Sequence, residues 1–508
     1  MELRIEKLVY GGDGLARLPA DEHGRGKAVF VPFVLEGERV EATLVEEKPG
    51  FARARLEQVL EPSPHRVKPP CPYFTRCGGC HYQHSTYEHQ LQIKASILKE
   101  NLRRIAKLEL SKTQDPPTSL RSAQDDRAAS SQTRGLPRSA RDDREGDYAP
   151  DDRGSDSELQ TELQIHPSPP WNYRNRTRMR VKAQPQFLLG YNQLGSHELE
   201  PVEQCPISSP LINRAIAAVW NFGRAGRMDP AVREIEFFSN ADDTELLLAV
   251  YVDTAAAGSE AQPRSAARDK RPRTPAKRPD VSAAQSFAEH LRTALPAAAG
   301  VVVFPSGGRA DDFKAPATSL ATAGASFLQY ATTGASYRVS AGSFFQVNRY
   351  LTDELVSIVT TGRSGKTALD LYAGVGLFST VLARQFERVV AVESSQQSFA
   401  DLAYNSPGNV KPHRAAVEQY LSRVDRKFRP DLVVVDPPRG GLGTKVARAV
   451  AELRAPWLTY VSCDPATLAR DLVPLLAAGY RVEQVHLVDL FPQTFHLESV
   501  VQLKAAGT

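Results

Sequence analysis

The sequence predicts an α/β protein whose C-terminal third is a doubly wound, mostly parallel sheet. From about residue 340 onward, apolar runs recur, each followed by a helix-like or loop segment: TALDLY, RVVAVE, DLVVVD and WLTYVSC. Continuous apolar runs are expected of parallel strands that are buried on both faces. Ligands of such sheets bind at the carboxyl ends of the strands, so the residues that follow these runs are the candidate functional residues.

Residues 1–62 are predicted to form a separate small β-barrel. Strand-like stretches are separated there by glycine-containing turns: ELRIEKLVY, GKAVFVPFVL, ERVEATLVEEK and ARARLEQVL. Period-two alternation with such turns is typical of small antiparallel barrels. Barrels of this kind often bind RNA, but the composition alone does not establish that function.

Residues 63–340 are predicted to form a central α+β domain with two disordered insertions, at about 110–168 and 256–285. The insertions contain few large apolar residues, and RSAQDDR is repeated imperfectly as RSARDDR. Such segments bury too little apolar surface to offset the conformational entropy of the chain. An expanded loop is favoured over a basic arm for nucleic acid, because the first insertion mixes charges of both signs.

Between the insertions, one segment alternates cations with other residues. In WNYRNRTRMRVKAQ, five cations occupy every second position: Arg174, Arg176, Arg178, Arg180 and Lys182. Alternate residues of a strand share one face, so the segment predicts a basic strand face that either contacts phosphate groups or is simply solvated.

The composition favours a cytoplasmic protein over a secreted or membrane protein. The N-terminus MELRIEKLVYGG has no apolar signal core, and no run approaches about 18 apolar residues, so we expect no membrane span. Five cysteines in 508 residues do not suggest a disulfide scaffold. The net charge of +4 and the pI of about 8.7 permit a polyanionic partner without requiring one. No feature indicates an obligate protein partner, so we expect a monomer.

The first apolar run ends in a turn that predicts a nucleoside-type ligand. Gly374 and Gly376 in DLYAGVGLF let the backbone turn tightly and approach a ligand closely. Glu393 ends the next run, where a carboxylate can accept hydrogen bonds from ribose hydroxyls. The third glycine of GxGxxG and the Walker pattern are both missing. A cofactor such as S-adenosylmethionine is therefore favoured over one with a pyrophosphate.

The third apolar run ends in Asp436, which is followed by PPRGG. Two prolines end the strand and stiffen the loop, which fixes Asp436 at the rim of the sheet. We interpret Asp436 as a polar contact in the cleft for substrate and cofactor. The alternative is that it simply terminates the strand.

Cys463 follows the fourth apolar run and precedes a helix-like segment, PATLARDLVPLLAAG. The partial positive charge of a helix N-terminus lowers a thiol pKa, so we expect a reactive thiolate at the cofactor rim. A thiolate suits methylation of carbon 5 of uracil, because its addition to carbon 6 makes carbon 5 nucleophilic. The run DLFPQTFHLE offers His496 and Glu498 as the base that removes the proton from carbon 5, although Glu498 also fits an ordinary surface acid.

The other four cysteines predict one metal centre. Cys71, Cys77 and Cys80 stand together in CPYFTRCGGC, and Cys205 stands far downstream in EQCPI. Four thiolates suit either tetrahedral zinc or an iron–sulfur cluster, and the spacing alone does not separate the two.

Together these segments resemble the RNA uracil-5-methyltransferase family. Its motifs occur in order: SFFQVN, DLYAGVGLFS, VE, DPPRGG, YVSCDPATLARD and DLFPQTFHLE. Residues 1–60 look like the TRAM barrel, an OB-like module, of many members, and CPYFTRCGGC with QCP looks like their 4Fe-4S site. The resemblance implies a Rossmann-like class I methyltransferase domain at 341–508, S-adenosylmethionine as methyl donor, and a 4Fe-4S cluster in preference to zinc in a central RNA-binding domain.

The resemblance also implies roles for individual residues. Cys463 would be the nucleophile and Glu498 the proton acceptor. Five residues would contact the cofactor or line its pocket: Gln346, Tyr372, Gly374, Glu393 and Asp436. The product would be 5-methyluridine, in 23S ribosomal RNA rather than transfer RNA, because a TRAM barrel together with a cluster site leans that way.

Three positions depart from the family pattern. Leu377 stands where Asn is common, Asp464 replaces the Asn of SCNP, and Ala373 stands where a Cys is frequent. The first change could remove a cofactor contact, and the second could alter the environment of Cys463. Two other hypotheses stay open: a methyltransferase of another type on the same fold, and a non-catalytic RNA-binding protein. RNA cytosine-5 enzymes usually carry a second Cys in the DPP-like loop, and amino-group methylases an aromatic residue where Arg439 stands here.

Overall fold

The computed structural model describes residues 1–19, 26–110, 161–253, 281–306 and 318–506. Most of the two segments that were predicted to be disordered lies outside these ranges. Residues 161–168 and 281–285 lie inside them, and for these the prediction was wrong: the first piece contains a strand and the second begins a helix. The strand forms because its alternate residues Leu163 and Ile165 are buried against a sheet that it joins.

Six strands form the N-terminal barrel: β1 (Glu2–Arg4), β2 (Lys7–Leu8), β3 (Asp13–Arg17), β4 (Ala28–Pro32), β5 (Arg39–Glu47) and β6 (Phe51–Glu61). Their order is β1-β5-β6-β4-β3-β2, and only β4 and β6 pair in parallel. The predicted β-structure is therefore confirmed, with six strands in place of four, because ELRIEKLVY contains both β1 and β2 and DGLAR forms β3. Gly14 is needed in β3, since a Cβ there would lie 2.3 Å from the Val34 Cγ2 atom.

The central part of the chain is an α+β layer. Its elements follow the barrel in this order: α1 (Tyr87–Asn101), β7 (Leu163–His166), β8 (Arg176–Lys182), β9 (Leu188–Asn192), β10 (Leu199–Pro201), α2 (Pro210–Arg224), β11 (Val232–Ser239), β12 (Leu246–Asp253), α3 (Val281–Thr293), β13 (Ala298–Ser306) and β14 (Ala321–Gly324). Seven of the strands form one sheet in the order β10-β9-β8-β11-β12-β13-β14. Helix α2 packs Ile212 and Val219 into the apolar core of this sheet.

The predicted basic strand is β8, but two of its cations are not free to bind phosphate. The β8–β11 register sets Glu236 opposite Arg178. Arg178 also donates to the Tyr251 hydroxyl at 2.6 Å and lies 4.1 Å from the centre of that ring. Arg176 lies 4.2 Å from the centre of the Phe238 ring. Acids and rings on the neighbouring strands offset the charge, so the prediction of a continuous basic face was wrong at these positions.

The C-terminal part contains a hairpin and a second α/β layer. Its elements are β15 (Phe327–Ala331), β16 (Ser336–Ser340), α4 (Thr352–Thr360), β17 (Gly365–Leu371), α5 (Ser379–Leu382), β18 (Phe386–Glu393), α6 (Gln396–Asn405), β19 (Val410–Arg414), α7 (Val417–Arg423), β20 (Leu432–Val435), α8 (Gly443–Glu452), β21 (Trp457–Ser462), α9 (Pro465–Ala477), β22 (Tyr480–Val488) and β23 (Glu498–Ala505). In the described ranges, no helix is both long enough and apolar enough to cross a membrane.

Eight strands form the C-terminal sheet, in the order β19-β18-β17-β20-β21-β23-β22-β7. All pairs are parallel except those of β23, which is antiparallel to both neighbours. Alternate residues of β20 enter two different apolar clusters, Val433 in one and Val434 in the other, so both faces are covered. The predicted doubly wound, mostly parallel sheet is confirmed, and it takes β7 from outside residues 341–508.

Helix α1 and the segment before it fasten the loop that leads into β23. Lys94 Nζ lies 2.6 Å from Asp489 Oδ1, and both side chains are fully buried. Gln493 has a left-handed backbone, with φ of 68°, and its N–H donates to Gln90 Oε1 at 3.0 Å. Its carbonyl accepts two backbone N–H groups from the cysteine-rich segment. The end of the chain is thus held in place by residues some 400 positions earlier in the sequence.

Candidate active site

The carboxyl edge of the C-terminal sheet brings the predicted reactive residues together. Leu371 of β17 lies opposite Val435 of β20, and Val435 lies opposite Tyr460 of β21. On the other side of β21, Ser462 lies opposite Ser499 of β23. The residues that come next at this edge are Tyr372, Asp436, Cys463 and Glu498.

Cys463 and Glu498 come from neighbouring antiparallel strands. The pairing of Ser462 with Ser499 makes them neighbours across the end of the ladder, since Cys463 follows the first and Glu498 precedes the second. Glu498 is 5% exposed and Cys463 is half-buried. Their proximity shows in the electrostatics, because Glu498 raises the pKa of the Cys463 thiol.

The thiol of Cys463 is protonated in the free protein. Burial and, after it, the negative charges of Glu498 and Asp436 raise its pKa to about 12. The expectation of a lowered thiol pKa is therefore wrong for the protein without bound RNA or cofactor.

The start of helix α9 adds a smaller contribution of the same sign to the thiol pKa. Ala466 and Thr467 donate their N–H groups to Asp464 Oδ1 at 3.0 and 2.8 Å. The cap satisfies the free N–H groups and sets a negative charge beside Cys463. Asn, which is common in the family at this position, would cap the helix without that charge. Asp464 therefore differs from the family pattern in placing a negative charge beside the thiol.

Three carboxyls near the rim have raised pKa values. Burial raises the pKa of Asp370 to about 7. Burial and the charge of Asp370 raise the pKa of Asp436 to about 7. Burial and the charge of Asp436 raise the pKa of Glu498 well above its ordinary range. A carboxylate with a raised pKa is a stronger base than an exposed one, and such groups concentrate at functional sites.

His496 is the weaker of the two candidate bases. Burial and the adjacent Arg439 lower the pKa of His496 to about 2. The Arg439 Nη2 atom lies 3.3 Å from His496 Nε2. A neutral imidazole with so low a pKa accepts protons poorly, which leaves Glu498 as the stronger candidate.

The turn after β17 has an open side and an acid beside it. Tyr372 and Gly374 have positive φ values of 64° and 56°. Apart from Gly374 itself and its two chain neighbours, no atom of the described residues lies within 4 Å of where a Cβ of Gly374 would be. The Gly374 N–H donates to Glu393 Oε2 at 3.0 Å, so the acid that was predicted to hold a ribose lies at the turn.

Asp370 was not singled out from the sequence, although it ends the same strand. Its side chain is fully buried, and its Oδ1 atom has no hydrogen-bond partner in the described part of the chain. Ser379 donates to the other oxygen. An unpaired acceptor below an open glycine turn, with Glu393 beside it, fits a nucleoside-type ligand that carries an ammonium group, as S-adenosylmethionine does.

Gln346 lies in the loop between β16 and α4 and is 6% exposed. Two residues further on, Asn348 Nδ2 donates to the Leu490 carbonyl at 3.2 Å. This bond fastens SFFQVN to the loop that leads to Glu498. Phe344 in the same segment is 62% exposed, which leaves an aromatic face open near the rim.

The four cysteines of the predicted metal centre line one cavity of about 70 Å³: Cys71, Cys77, Cys80 and Cys205. The four thiols line this cavity and do not converge on a common position for a metal ion. Across the described residues, no group of three or more His, Cys, Asp or Glu side chains is placed to hold a metal ion. The structure brings the predicted ligands together, but it does not itself show a metal centre.

Family models match the two ends of the chain. Residues 325–506 match the tRNA (Uracil-5-)-methyltransferase family, and residues 1–56 match the TRAM domain. The first match contains all the residues predicted for catalysis and cofactor binding, and the second covers most of the barrel.

Similar proteins extend over nearly the whole chain. A protein of Aquifex aeolicus named "Uncharacterized RNA methyltransferase" is 29% identical, over 99% of this chain and 98% of its own length. One of Listeria monocytogenes with the same designation is 28% identical, over 99% and 96%. The solved Pyrococcus abyssi tRNA (uracil-54, C5)-methyltransferase, in complex with S-adenosyl-L-homocysteine, matches 99% of this chain and 100% of that chain, with a TM-score of 0.65 and 19% identity, which shows a shared fold.

These matches agree with the arrangement of the rim, where a thiol and a buried acid meet beside a glycine turn. The chain is an S-adenosylmethionine-dependent RNA methyltransferase; its residues 325–506 match the tRNA (uracil-5-)-methyltransferase family, and its residues 1–56 match the TRAM domain.

Proposed function

We propose that the enzyme methylates carbon 5 of a uridine in 23S ribosomal RNA, with Cys463 as nucleophile and Glu498 as proton acceptor. The pairing of β21 with β23 carries this proposal, because it makes the two side chains neighbours at the rim. Asp436 lies at the same edge and supplies a polar contact for the base or the cofactor.

Cys463 overcomes the low reactivity of uracil carbon 5. Addition of its thiolate to carbon 6 forms a C–S bond and moves an electron pair towards carbon 5. Carbon 5 then attacks the electrophilic methyl group that S-adenosylmethionine, when bound, would supply; the new C–C bond forms as the methyl–sulfur bond breaks, and S-adenosylhomocysteine is the leaving group. Glu498 removes the proton from carbon 5, the ring double bond forms again, and the C–S bond breaks so that the thiolate is regenerated.

The thiol proton has to leave before Cys463 can attack. Glu498 and Asp436 are the carboxyls that act most strongly on the thiol, and both have raised pKa values. In their ionised form they accept a proton more readily than exposed acids do. We assign the thiol proton to Asp436, so that Glu498 stays ionised and can take the proton from carbon 5.

The cofactor would be held by the turn after β17 and by the ends of two neighbouring strands. Tyr372 and Gly374 would line its pocket, and Glu393 would accept from the ribose hydroxyls. Gln346 would reach the cofactor from the SFFQVN segment. Leu377 is buried in the apolar core, so it contributes packing where the family often has a polar contact.

We further propose that the four-cysteine cavity holds a 4Fe-4S cluster. A single zinc ion would draw four sulfurs to about 2.3 Å from one point, whereas these thiols line a cavity. Arg174 also lines the cavity and acts electrostatically on Cys80 and Cys205, which suits an anionic metal–thiolate group. The cluster would be structural, because His81, next to Cys80, donates its N–H to the Gln493 carbonyl at 2.8 Å.

Two classes of RNA are candidates for the substrate: ribosomal RNA and transfer RNA. A TRAM barrel together with a four-cysteine site supports ribosomal RNA, whereas the names of the matched family and of the Pyrococcus abyssi enzyme favour transfer RNA. Mapping of 5-methyluridine in total RNA from cells with and without the gene tests both. Loss of one 5-methyluridine from 23S RNA supports the proposal, loss from transfer RNA selects the second candidate, and unchanged RNA contradicts both.

Replacement of the two reacting residues should separate binding from chemistry. Cys463→Ala should reduce methyl transfer by at least about 10³-fold, because no C–S bond can form, while the affinity for S-adenosylmethionine stays within about twofold. Glu498→Gln should accumulate a protein–RNA adduct that survives denaturing electrophoresis. The exposed Glu483→Gln variant is the matched control. Full activity of Cys463→Ala would refute the assignment of the nucleophile.

Asp464→Asn should make Cys463 more reactive in the free enzyme. The amide oxygen keeps the helix cap, but a negative charge beside the thiol is removed, so the thiol pKa falls and more thiolate is present at a given pH. Alkylation of Cys463 by iodoacetamide at about pH 8.5, followed by peptide mass spectrometry, should be about threefold faster. Asp425→Asn, which changes an acid far from the rim, should leave the rate unchanged. A slower reaction in Asp464→Asn would show that the charge does not act as described.

Metal analysis tests the cluster. Protein purified without oxygen should contain about four iron and four sulfide per chain and absorb near about 400 nm. Cys205→Ser should lose most of the iron, and Cys463→Ala, which leaves the cavity intact, should retain it. One zinc per chain without iron would overturn the cluster assignment.

A further inference from the structure

The N-terminal barrel reaches the reaction centre through Tyr10. This residue lies in the turn between β2 and β3, and its hydroxyl donates to the Cys463 carbonyl at 3.0 Å. Its ring packs edge-on against Phe495, with 5.4 Å between the ring centres. One side chain of the barrel therefore contacts both the segment with the nucleophile and the loop that leads to Glu498.

The carbonyl of Cys463 lies where neither the sheet nor the helix supplies a donor. Strand β21 ends one residue earlier, and α9 begins at Pro465, which has no N–H. The next two N–H groups of the helix donate to Asp464. The Tyr10 hydroxyl is thus the donor that fixes the peptide after Cys463. A fixed carbonyl limits the movement of the backbone at Cys463, and therefore of the Cα that carries the thiol.

The turn that carries Tyr10 is built for close contact with the catalytic domain. Gly12 has φ of 96°, and a Cβ there would lie 3.1 Å from His81 Cβ. His81 packs against Phe495, with 4.6 Å between the ring centres. Leu8 of β2 is buried in the same apolar cluster as Leu497, beside Glu498. The barrel is therefore packed against the segments beside the reaction centre and is not connected to them by the chain alone.

The hydroxyl of Tyr10 also stands among the charged groups of the rim. Asp464, Arg439, Cys463 and Glu498 all act on it electrostatically. Burial raises the pKa of Tyr10 above its ordinary range, so the hydroxyl remains a donor at every pH at which the enzyme would work.

We propose that Tyr10 is a positioning residue for methyl transfer: its hydrogen bond holds the Cys463 peptide so that the sulfur is aimed at the base, and the docked barrel thereby completes the reaction centre. This inference rests on the proposed role of Cys463. It gives the barrel a part in the chemical step, in addition to any contact that it makes with RNA.

The variant Tyr10→Phe removes the hydroxyl and keeps the ring. Tyr480→Phe is a matched control, because the Tyr480 hydroxyl also donates to a backbone carbonyl, that of Ala455, at 2.8 Å, before the opposite end of β21. In single turnovers with saturating RNA and S-adenosylmethionine, Tyr10→Phe should slow methyl transfer by about 5- to 10-fold, with RNA affinity within about twofold of the parent. Tyr480→Phe should match the parent in both.

A second measurement does not depend on the RNA. The rate at which iodoacetamide alkylates Cys463 in the full-length, RNA-free protein should change in Tyr10→Phe and stay constant in Tyr480→Phe, below the melting temperatures of both variants. An unchanged turnover rate with weaker RNA binding would overturn the proposal and leave the barrel as an RNA-binding module. If the parent methylates no uridine, the proposed function fails, but the alkylation rates still test whether Tyr10 positions Cys463.

Discussion

The pairing of β23 with β21 is the constraint on which the proposed chemistry depends. Because β23 runs antiparallel, its first residue meets the end of β21, and Glu498 comes next to Cys463 at the rim. A shift of the register by one residue would turn Glu498 to the other face of the sheet. Both faces of β23 are packed, with Val501 in one apolar cluster and Val500 in the other, so such a shift would disrupt the packing on both faces.

Three parts of the chain hold this pair in place. The buried pair of Lys94 and Asp489 anchors the loop before β23 to helix α1. The cysteine-rich segment binds the Gln493 carbonyl in the same loop, and Tyr10 of the barrel reaches the peptide after Cys463. A cluster in the cysteine cavity would therefore support catalysis by stabilising the segment that binds the loop before β23. This role requires no electron transfer. This explains how a redox-capable group could serve a reaction that moves no net electrons.

Much of the fold could be predicted from local patterns of apolar residues in the sequence. The apolar runs that end at Leu371, Val435 and Ser462 form buried strands, because such runs are stable only when both faces are covered. The ends of those strands gave Asp436 and Cys463 correctly as rim residues. Strand β7 and the clamp by α1 could not be predicted, since both join segments that lie hundreds of residues apart and leave no local signal.

The pKa values of the site residues were harder to predict than which residues lie at the site. A helix start after Cys463 indicated a lowered thiol pKa, but burial raises the pKa, and the charges of Glu498 and Asp436 act in the same direction. Tyr10 and Asp370 were missed for the same reason: their roles depend on which groups surround them in space. Sequence motifs predicted the reacting atoms, and only the structure shows the charges and bonds that act on them.

A trapping experiment tests the central claim most directly. In RNA that contains 5-fluorouridine, carbon 5 carries a fluorine that Glu498 cannot remove as a proton, so the reaction should stop at the methylated adduct. Mass spectrometry of the digested complex should find one nucleotide with one added methyl group attached to the peptide that contains Cys463. Attachment to another residue, or a failure to form any stable complex while ordinary RNA is methylated, would contradict the account.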